Sequence, residues 1–321
     1  MSPALNTFIK LLLLALIAAF PFVGTAFYVE LVGKGLILAI FAMSLDLLVG
    51  VTGLVSFGHA AYFGVAAYVL ALLTPKYEAA NLWLTLPAAV LISALVALMV
   101  GVFVLRTRGI YFIMVTLAFA QMGYYVFHDT KLGGGSDGIF VNFKPSAAIA
   151  GWQPFDLDQP RVLYYFILAL AILVYLGLCR LKESAFGSIL QGIRDNESRM
   201  LGMGYATFRY KLAAFALAGG LAGVAGYLYA ALYGFVTPEF LSWHQSGNVL
   251  LMVILGGMGN FAGAAMGAFA FVAMQEVFSA WTKHWQLIMG AVIVAAVLFL
   301  PGGIAALPAR WRHKRVKVGR E

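Results

Sequence analysis

Charge is scarce in this sequence. Only 11% of its 321 residues are charged and 63% are hydrophobic, whereas a globular domain carries about 25% charged residues. A soluble fold with a fully solvated surface is therefore excluded, and the composition indicates a protein embedded in a lipid bilayer. The net charge of +8 does not indicate a nucleic-acid partner, because the basic residues are concentrated in segments 180–211 and 310–320 instead of covering a surface.

Cysteine and catalytic motifs are also nearly absent. The single cysteine, Cys179, excludes an intrachain disulfide and a cysteine-based metal site. No glycine run is followed by the Lys-Ser/Thr pair of a Walker A loop, so the chain is not expected to bind ATP by itself. An HExxH pair, a nucleophile elbow and paired intramembrane carboxylates are missing as well. We therefore expect neither an enzyme nor a chain with its own metal or cofactor.

Long apolar runs dominate what remains. A bilayer-spanning helix needs about 20 predominantly apolar residues, and such runs recur between residues 11 and 300. They lie near 11–29, 35–50, 57–73, 83–105, 110–127, 162–180, 211–233, 245–257, 261–281 and 285–300. Because some runs are short, we expect an all-α, polytopic transmembrane bundle of about 8–10 helices. Residues 1–321 are expected to form a single membrane domain.

Charge bias predicts which loops face the cytoplasm. Lys and Arg are enriched in cytoplasmic segments, which places the loop 181–210 and the basic tail 309–321 inside. Alternation then puts the segment 128–161, where acidic residues outnumber basic ones, outside and the turn at 106–108 inside. If the chain divides near residue 145, its two halves enter the membrane from opposite sides, as in an inverted repeat.

A glycine-rich stretch, residues 50–59, interrupts one apolar run. Non-helical backbone at membrane depth requires protein or a water-filled cavity around it, so the stretch is a candidate for a broken helix at a translocation path or its gate. The alternative is a tight turn between packed helices, which we favour for a second glycine run at 255–263. Asp46 either lines the path or, as we favour, caps the broken helix, and His59 is expected to form a hydrogen bond at a helix start. The candidate residues are Asp46, Gly50, Gly53, Ser56, Gly58 and His59.

The polar loop 181–210 is the segment expected to bind a partner protein in the aqueous phase. Residues 184–191 and 195–200 are predicted to form two short helices, with an N-cap region at Asp195-Asn196. Alternating small, apolar and charged residues suit a cleft on a partner protein, and a solvated connector is the alternative. The loop residues expected to matter are Arg194, Asp195, Glu197 and Gly204.

Several stretches resemble one family, and they occur in the same order. Residues 44–60, SLDLLVGVTGLVSFGHA, closely resemble the N-L…GYTGLLSFGHAAF stretch of branched-chain amino acid ABC importer permeases of the LivM type. The other similar stretches are RTRGIYF (106–112) with TLAF (116–119), GGSDGI (134–139), GIRDNE (192–197), YKLAAF (210–215) and VILGGMG (253–259).

The resemblance implies a multi-pass subunit in the cytoplasmic (inner) membrane of a prokaryote. In that family the permease pairs with a LivH-type sister permease and with two ABC ATPase subunits, which bind the ATP. A periplasmic or lipid-anchored substrate-binding protein delivers the amino acid. The loop 181–210 would be the coupling loop, with Glu197-Ser198-Arg199 in place of Glu-Ala-Ala and Gly204 as a motif glycine.

The expected function is therefore that of an importer permease for branched-chain or other hydrophobic amino acids, which forms the translocation path and couples to ATPases. A secondary transporter or channel for a small polar solute is the alternative from another class. Such a protein usually has clustered intramembrane charges, whereas Asp46 and Glu276 are far apart in this sequence. Urea or amides are the alternative substrates of a related importer.

Overall fold

The structure is a computed structural model that describes residues 15–22, 24–75, 77–148, 152, 154–300 and 302–306. Almost all of the described chain is helical. Residues 15–22 are helical, and the helices that follow are α1 (Ala26–Asp46), α2 (His59–Leu73), α3 (Leu82–Val104), α4 (Ile110–Asp129), α5 (Pro160–Glu183), α6 (Ala185–Asp195), α7 (Glu197–Gly202), α8 (Thr207–Tyr233), α9 (Trp243–Gly256), α10 (Phe261–Trp281) and α11 (Trp285–Phe299). A π-helical turn, Leu47–Thr52, extends α1, and two short strands, β1 (Ile139–Phe140) and β2 (Phe235–Val236), pair antiparallel.

Seven candidate spans are long and apolar enough to cross a membrane: α1 with its π turn, α3, α4, α5, α8, α10, and the span Trp285–Ala306, which begins with α11. They confirm the predicted polytopic helix bundle. The predicted runs at 57–73 and 245–257 become α2 and α9, which have 15 and 14 residues. At 1.5 Å per residue, each is about 21–23 Å long and falls short of the roughly 30 Å hydrocarbon core.

The connection between the first two helical segments lies at residues 24–25, whereas the sequence predicts it between residues 29 and 35. Apolar runs at 11–29 and 35–50 suggest an interruption between them, but α1 runs through that segment without a break. Lys34 lies in the middle of this segment, and its Nζ donates a hydrogen bond of 3.4 Å to Gln275 Oε1 on α10. Gly35 is buried and leaves room for the Phe269 ring. A Gly-Lys-Gly triplet is therefore compatible with a continuous helix when its neighbours pack against it.

The bundle centre is formed by α1 and α8. Every residue in the most apolar part of α1 and its π turn is buried, and two thirds of the corresponding part of α8 is buried. Alanine and glycine recur along α8, and small residues let transmembrane helices approach closely. Gly226 shows how close the approach is, because a Cβ atom there would overlap the Phe63 carbonyl oxygen of α2.

Contacts sort the connections into two ends of the bundle. At one end Arg108 lies near Glu197, Arg194 reaches Gly50, and Gly257 lies against Gly302. At the other end β1 pairs with β2, and Asn81 bridges to Ser146. This grouping matches the alternation that charge bias predicts for the turn at 106–108, the loop 181–210 and the segment 128–161. The tail 309–321 lies outside the described residues.

Helix lengths support the predicted inverted repeat. The α1 span and α8 each have 27 residues, α2 and α9 have 15 and 14, and α3 and α10 have 23 and 21. Each pair runs in opposite directions through the bundle. The α1 span and α8 both end at a glycine in the left-handed conformation, Gly53 with φ 77° and Gly234 with φ 64°. In this pairing the counterpart of the break at 53–58 is the segment 234–242.

Candidate functional site

The break after α1 is a turn at Gly53, which is exposed, followed by an irregular segment that becomes buried at Ser56 and Gly58. The π turn closes with Leu54 N–H donating to the Leu48 carbonyl at 2.8 Å, and residues 53–58 then run without helical structure to α2. Phe57 N–H donates to Thr116 Oγ1 on α4 at 3.1 Å. Protein groups therefore satisfy this irregular backbone, as they must at membrane depth.

His59 and Ser56 are buried where α2 begins. His59 Nε2 lies 2.8 Å from Ser44 Oγ, and its ring stacks on Phe41 with centroids 5.6 Å apart. Among the described residues Nδ1 has no hydrogen-bond partner. Ser56 Oγ accepts the Gly58 N–H at 3.3 Å. The hydrogen bond of His59 is thus made to Ser44 of α1, whereas the first turn of α2 is bonded by Ser246, whose Oγ accepts the Ala60 N–H at 3.0 Å.

Asp46 joins the two glycine runs of the sequence. Its side chain is fully buried, and Oδ1 accepts the Gly259 N–H at 2.8 Å, whereas Oδ2 has no hydrogen-bond partner within the described part of the chain. The close approach needs Gly50, because a Cβ atom there would lie 2.2 Å from the Gly259 nitrogen. The carboxylate thus caps backbone of the other break, between α9 and α10, and not backbone of its own helix.

The polar loop folds as two helices with side-chain N-caps. Ser184 Oγ accepts the Gly187 N–H at the start of α6, and Asn196 Oδ1 accepts the Arg199 N–H at 2.9 Å at the start of α7. The sequence places the second cap region correctly, but Asp195 is the last residue of α6. Gly204 adopts φ 86° in the turn that leads into α8, a conformation that glycine accepts at little cost.

Glu197 points towards the bundle. Its carboxylate lies 2.5 Å from Lys211 Nζ, accepts a hydrogen bond of 3.1 Å from Thr207 Oγ1, and lies 3.9 Å from Arg108 Nη2. Partial burial alone would raise the pKa of Glu197, but the hydrogen bond and charge of Lys211, helped by Thr207 and Arg108, lower it below its ordinary value. This residue therefore fastens α7 to α8 and to the turn at 106–108.

Arg194 and Lys182 connect the loop to both breaks. Arg194 Nη1 donates to the Gly50 carbonyl at 2.5 Å, while its Nε and Nη2 donate to Asp195 Oδ1 at 3.2 and 3.1 Å. Lys182, at the end of α5, donates to the Gly259 carbonyl at 2.5 Å. The structure thus brings Asp46, Gly50 and Arg194 together, and it keeps Glu197 apart from them, on the opposite side of the loop.

Sequence reasoning missed Lys182, Gly259 and Lys211 as members of this site. In the sequence the two lysines indicate only that their segment faces the cytoplasm. Gly259 belongs to the glycine run that was interpreted as a simple turn. Contacts between segments more than 70 residues apart, such as Lys182 with Gly259 at a separation of 77, have no local signal in a single sequence.

Two surface pockets lie elsewhere. One of about 630 Å³ is lined by Ala118, Gln121, Met122, Tyr125 and Val126 on α4. Another of about 390 Å³ lies between the end of α5 and the start of α10, with Lys182, Gln191 and Asn260 in its wall. None of the candidate residues of the break lines either pocket. Over the described ranges, no group of three or more His, Cys, Asp or Glu residues could hold a metal ion.

Long apolar helices, glycine breaks and a loop clamped onto those breaks define a membrane-transport permease. Residues 27–297 match the family model for the permease component of branched-chain amino acid transport systems, and the chain belongs to that family. The high-affinity branched-chain amino acid transport system permease protein LivM of Salmonella typhimurium is 30% identical over 332 residues, covering 97% of this chain and 77% of the relative.

Two further relatives carry the same name. LivM of Escherichia coli K12 is 30% identical over 326 residues, covering 96% of this chain and 76% of the relative. The probable branched-chain amino acid transport permease protein LivM of Methanocaldococcus jannaschii is 28% identical over 131 residues, covering 40% of this chain and 38% of the relative. No solved structure shows a significant match. The chain is a multi-pass membrane protein of the permease class.

Proposed function

We propose that this chain is the membrane-spanning permease subunit of an ATP-driven, binding-protein-dependent importer of branched-chain amino acids. The observation that carries the proposal is the attachment of the loop to both breaks: the loop is exposed on one side and tied on the other to Gly50 through Arg194 and to Gly259 through Lys182. A loop built this way can receive a push from a soluble partner and pass it to membrane helices. The substrate class follows from the relatives.

The wall of the translocation path is proposed to be the outer face of α4. This helix is as little buried as α11, yet its exposed surface is less uniformly apolar. The half-buried Gln121 and the exposed Tyr125 lie on it beside the 630 Å³ pocket. A polar amide or hydroxyl group next to lipid is costly, whereas the same group beside a second permease or a hydrated path is satisfied. We therefore propose that the sister permease packs against α4.

The remaining assignments belong to the same proposal. Of the two ABC ATPases, one docks on the loop 181–210 from the cytoplasm, a substrate-binding protein delivers the amino acid to the opposite end, and the complex lies in the inner membrane. The break at 50–59 acts as the gate, because Arg194 of the loop holds it at Gly50; Asp46, Ser56 and His59 are buried among helices beside it. Residues 1–321 form one membrane domain without an ATP site of its own.

Reconstitution tests the proposal. The chain is co-expressed with a sister permease, the ATPases and the binding protein, and the complex is placed in liposomes with ATP enclosed on the ATPase side. Uptake of radiolabelled leucine should require both ATP and the binding protein and should be unaffected by dissipating ion gradients. Uptake that persists without ATP but stops with an ionophore would identify a secondary transporter and overturn the proposal.

A further inference from the structure

Three helices and two breaks meet at one point near the loop. We call this group the junction: Asp46 of α1, Gly50 of the π turn, Lys182 of α5, Arg194 of α6 and Gly259 between α9 and α10. Its hydrogen bonds join residues separated by 213, 144 and 77 positions in the chain. No other described set of polar contacts connects the loop with both breaks at once.

Both backbone groups of Gly259, the N–H and the carbonyl of the two adjoining peptides, are held by side chains. Its N–H donates to Asp46 Oδ1 at 2.8 Å, and its carbonyl accepts from Lys182 Nζ at 2.5 Å. Gly259 also adopts φ 80°, a backbone conformation that residues with a side chain rarely enter. A shift of α5 or of α1 must therefore move Gly259 or break one of its two charge-assisted bonds.

Arg194 holds the other break and is itself held in position. Nη1 reaches the Gly50 carbonyl, while Nε and Nη2 share Asp195 Oδ1, so the guanidinium plane is fixed by a fork of two hydrogen bonds. A carbonyl in the last turn of a helix lacks an intrahelical partner and carries partial negative charge. Arg194 supplies both the missing donor and the opposite charge.

The charges at the junction differ in exposure. Asp46 is fully buried, whereas Lys182 is half-buried and Arg194 is exposed, as is its partner Asp195. The buried carboxylate accepts the Gly259 N–H, and the Lys182 ammonium group that binds the Gly259 carbonyl lies close enough to act on its charge. An aspartate at the end of a membrane helix is therefore compensated by one backbone donor and one nearby cation.

We propose that Lys182, Arg194 and Asp46 are positioning residues that transmit movement of the loop to both broken helices. The inference rests on the proposed function, because it needs an ATPase that moves the loop. When an ATPase displaces α6, Arg194 transmits the displacement to the Gly50 carbonyl. When α5 tilts, Lys182 transmits the tilt to Gly259. The two breaks then move as one unit, because Asp46 links them directly.

The test compares transport with ATP hydrolysis in the reconstituted complex. Arg194→Gln and Lys182→Gln each remove one charge of the junction. The matched controls are Arg180→Gln and Arg106→Gln, since both side chains are exposed, lie outside the docking loop 181–210, and make no hydrogen bond or ion pair within the described residues. Leucine uptake and ATP hydrolysis are measured on the same vesicles, and co-purification of the ATPases reports assembly.

Leucine imported per ATP hydrolysed should fall at least tenfold in both junction variants, with ATPases still bound, and should stay within twofold of wild type in both controls. Arg194→Lys, which can still reach Gly50 but loses the fork to Asp195, should fall in between. An unchanged ratio in the junction variants would overturn the inference while leaving the proposed function intact. Loss of the ATPases from the junction variants alone would also overturn it, because the residues would then only hold the loop's shape. Wild-type complex without ATP-driven uptake would instead contradict the proposed function.

Discussion

Gly50→Ala tests whether contact between the two breaks is needed for transport. The added Cβ atom would lie 2.2 Å from the Gly259 nitrogen and 2.3 Å from Asp46 Oδ1, whereas ordinary contact begins at 3.4 Å. Backbone must therefore move apart by roughly 1 Å, which stretches the 2.8 Å bond between Gly259 and Asp46 beyond hydrogen-bonding range.

The expected penalty has two parts. Overpacking a tight site costs about 1–3 kcal/mol, and a buried polar group that loses its partner costs about 1–3 kcal/mol, more when it is charged. Together they disfavour the closed junction by about 3 kcal/mol or more. Since every 1.4 kcal/mol is a factor of ten, the population with both breaks in contact should drop by on the order of a hundredfold.

Initial rates of ATP-driven leucine uptake and the thermal unfolding of the solubilised complex measure this effect. Gly177→Ala on α5 is the matched control, because no atom lies within 4 Å of the added Cβ. Its transport and melting temperature should equal or slightly exceed those of wild type, as alanine favours a helix over glycine. If Gly50→Ala behaves like Gly177→Ala in both assays, the contact between the breaks is dispensable and the reasoning is refuted.

Two further changes probe the loop and its neighbours. Gly53→Leu should abolish uptake in an assembled, membrane-inserted complex, because position 53 has φ 77° and its Cβ would lie 2.8 Å from Arg194 Cγ; normal uptake would mean an ordinary turn. Glu197→Arg should reduce substrate-stimulated ATP hydrolysis by placing a third cation beside Lys211 and Arg108, whereas Glu183→Arg, at an exposed position, should not. Partial burial raises the pKa of Glu197, but Lys211 holds it below its ordinary value, so the pair is complete above the ordinary pKa of a glutamate and is lost only as pH falls through the lowered value. The Glu197→Arg defect should therefore be constant between about pH 5.5 and 8, and a defect that vanishes within this window would contradict the ion pair.

Composition and apolar periodicity are sufficient to predict the helix bundle, because the bilayer demands apolar helices of fixed length. The first loop is misplaced for a physical reason. Lys34 between two glycines looks like a break, but its partner Gln275 lies 241 residues away on α10. A charged residue inside a span is tolerated when another helix satisfies it, and a single sequence does not show which helix that is.

The site was predictable in its parts but not in its arrangement. Glycines mark both breaks, and the polar composition marks the loop, so Gly50, Gly53 and Arg194 are visible from the sequence. Their mutual contacts are tertiary, and Glu197 illustrates the consequence. As an exposed-looking acid it is expected to face a partner, yet Lys211, 14 residues later and one helix on, draws it inward.

The segment 53–58, which precedes the short helix α2, lies between the loop and the proposed path. α2 has only 15 residues, and residues 53–58, which precede it, run without helical structure. Thr116 Oγ1 of α4 accepts a hydrogen bond from the Phe57 N–H, and a Cβ atom on Gly58 would overlap the Thr116 carbonyl. The segment is thus fixed between Arg194, which touches Gly53, and α4, whose outer face carries Gln121. A displacement of the loop that moved Gly53 would have to shift this segment along α4 or tilt α4 with it, and either motion changes the shape of the surface where the path is proposed to run.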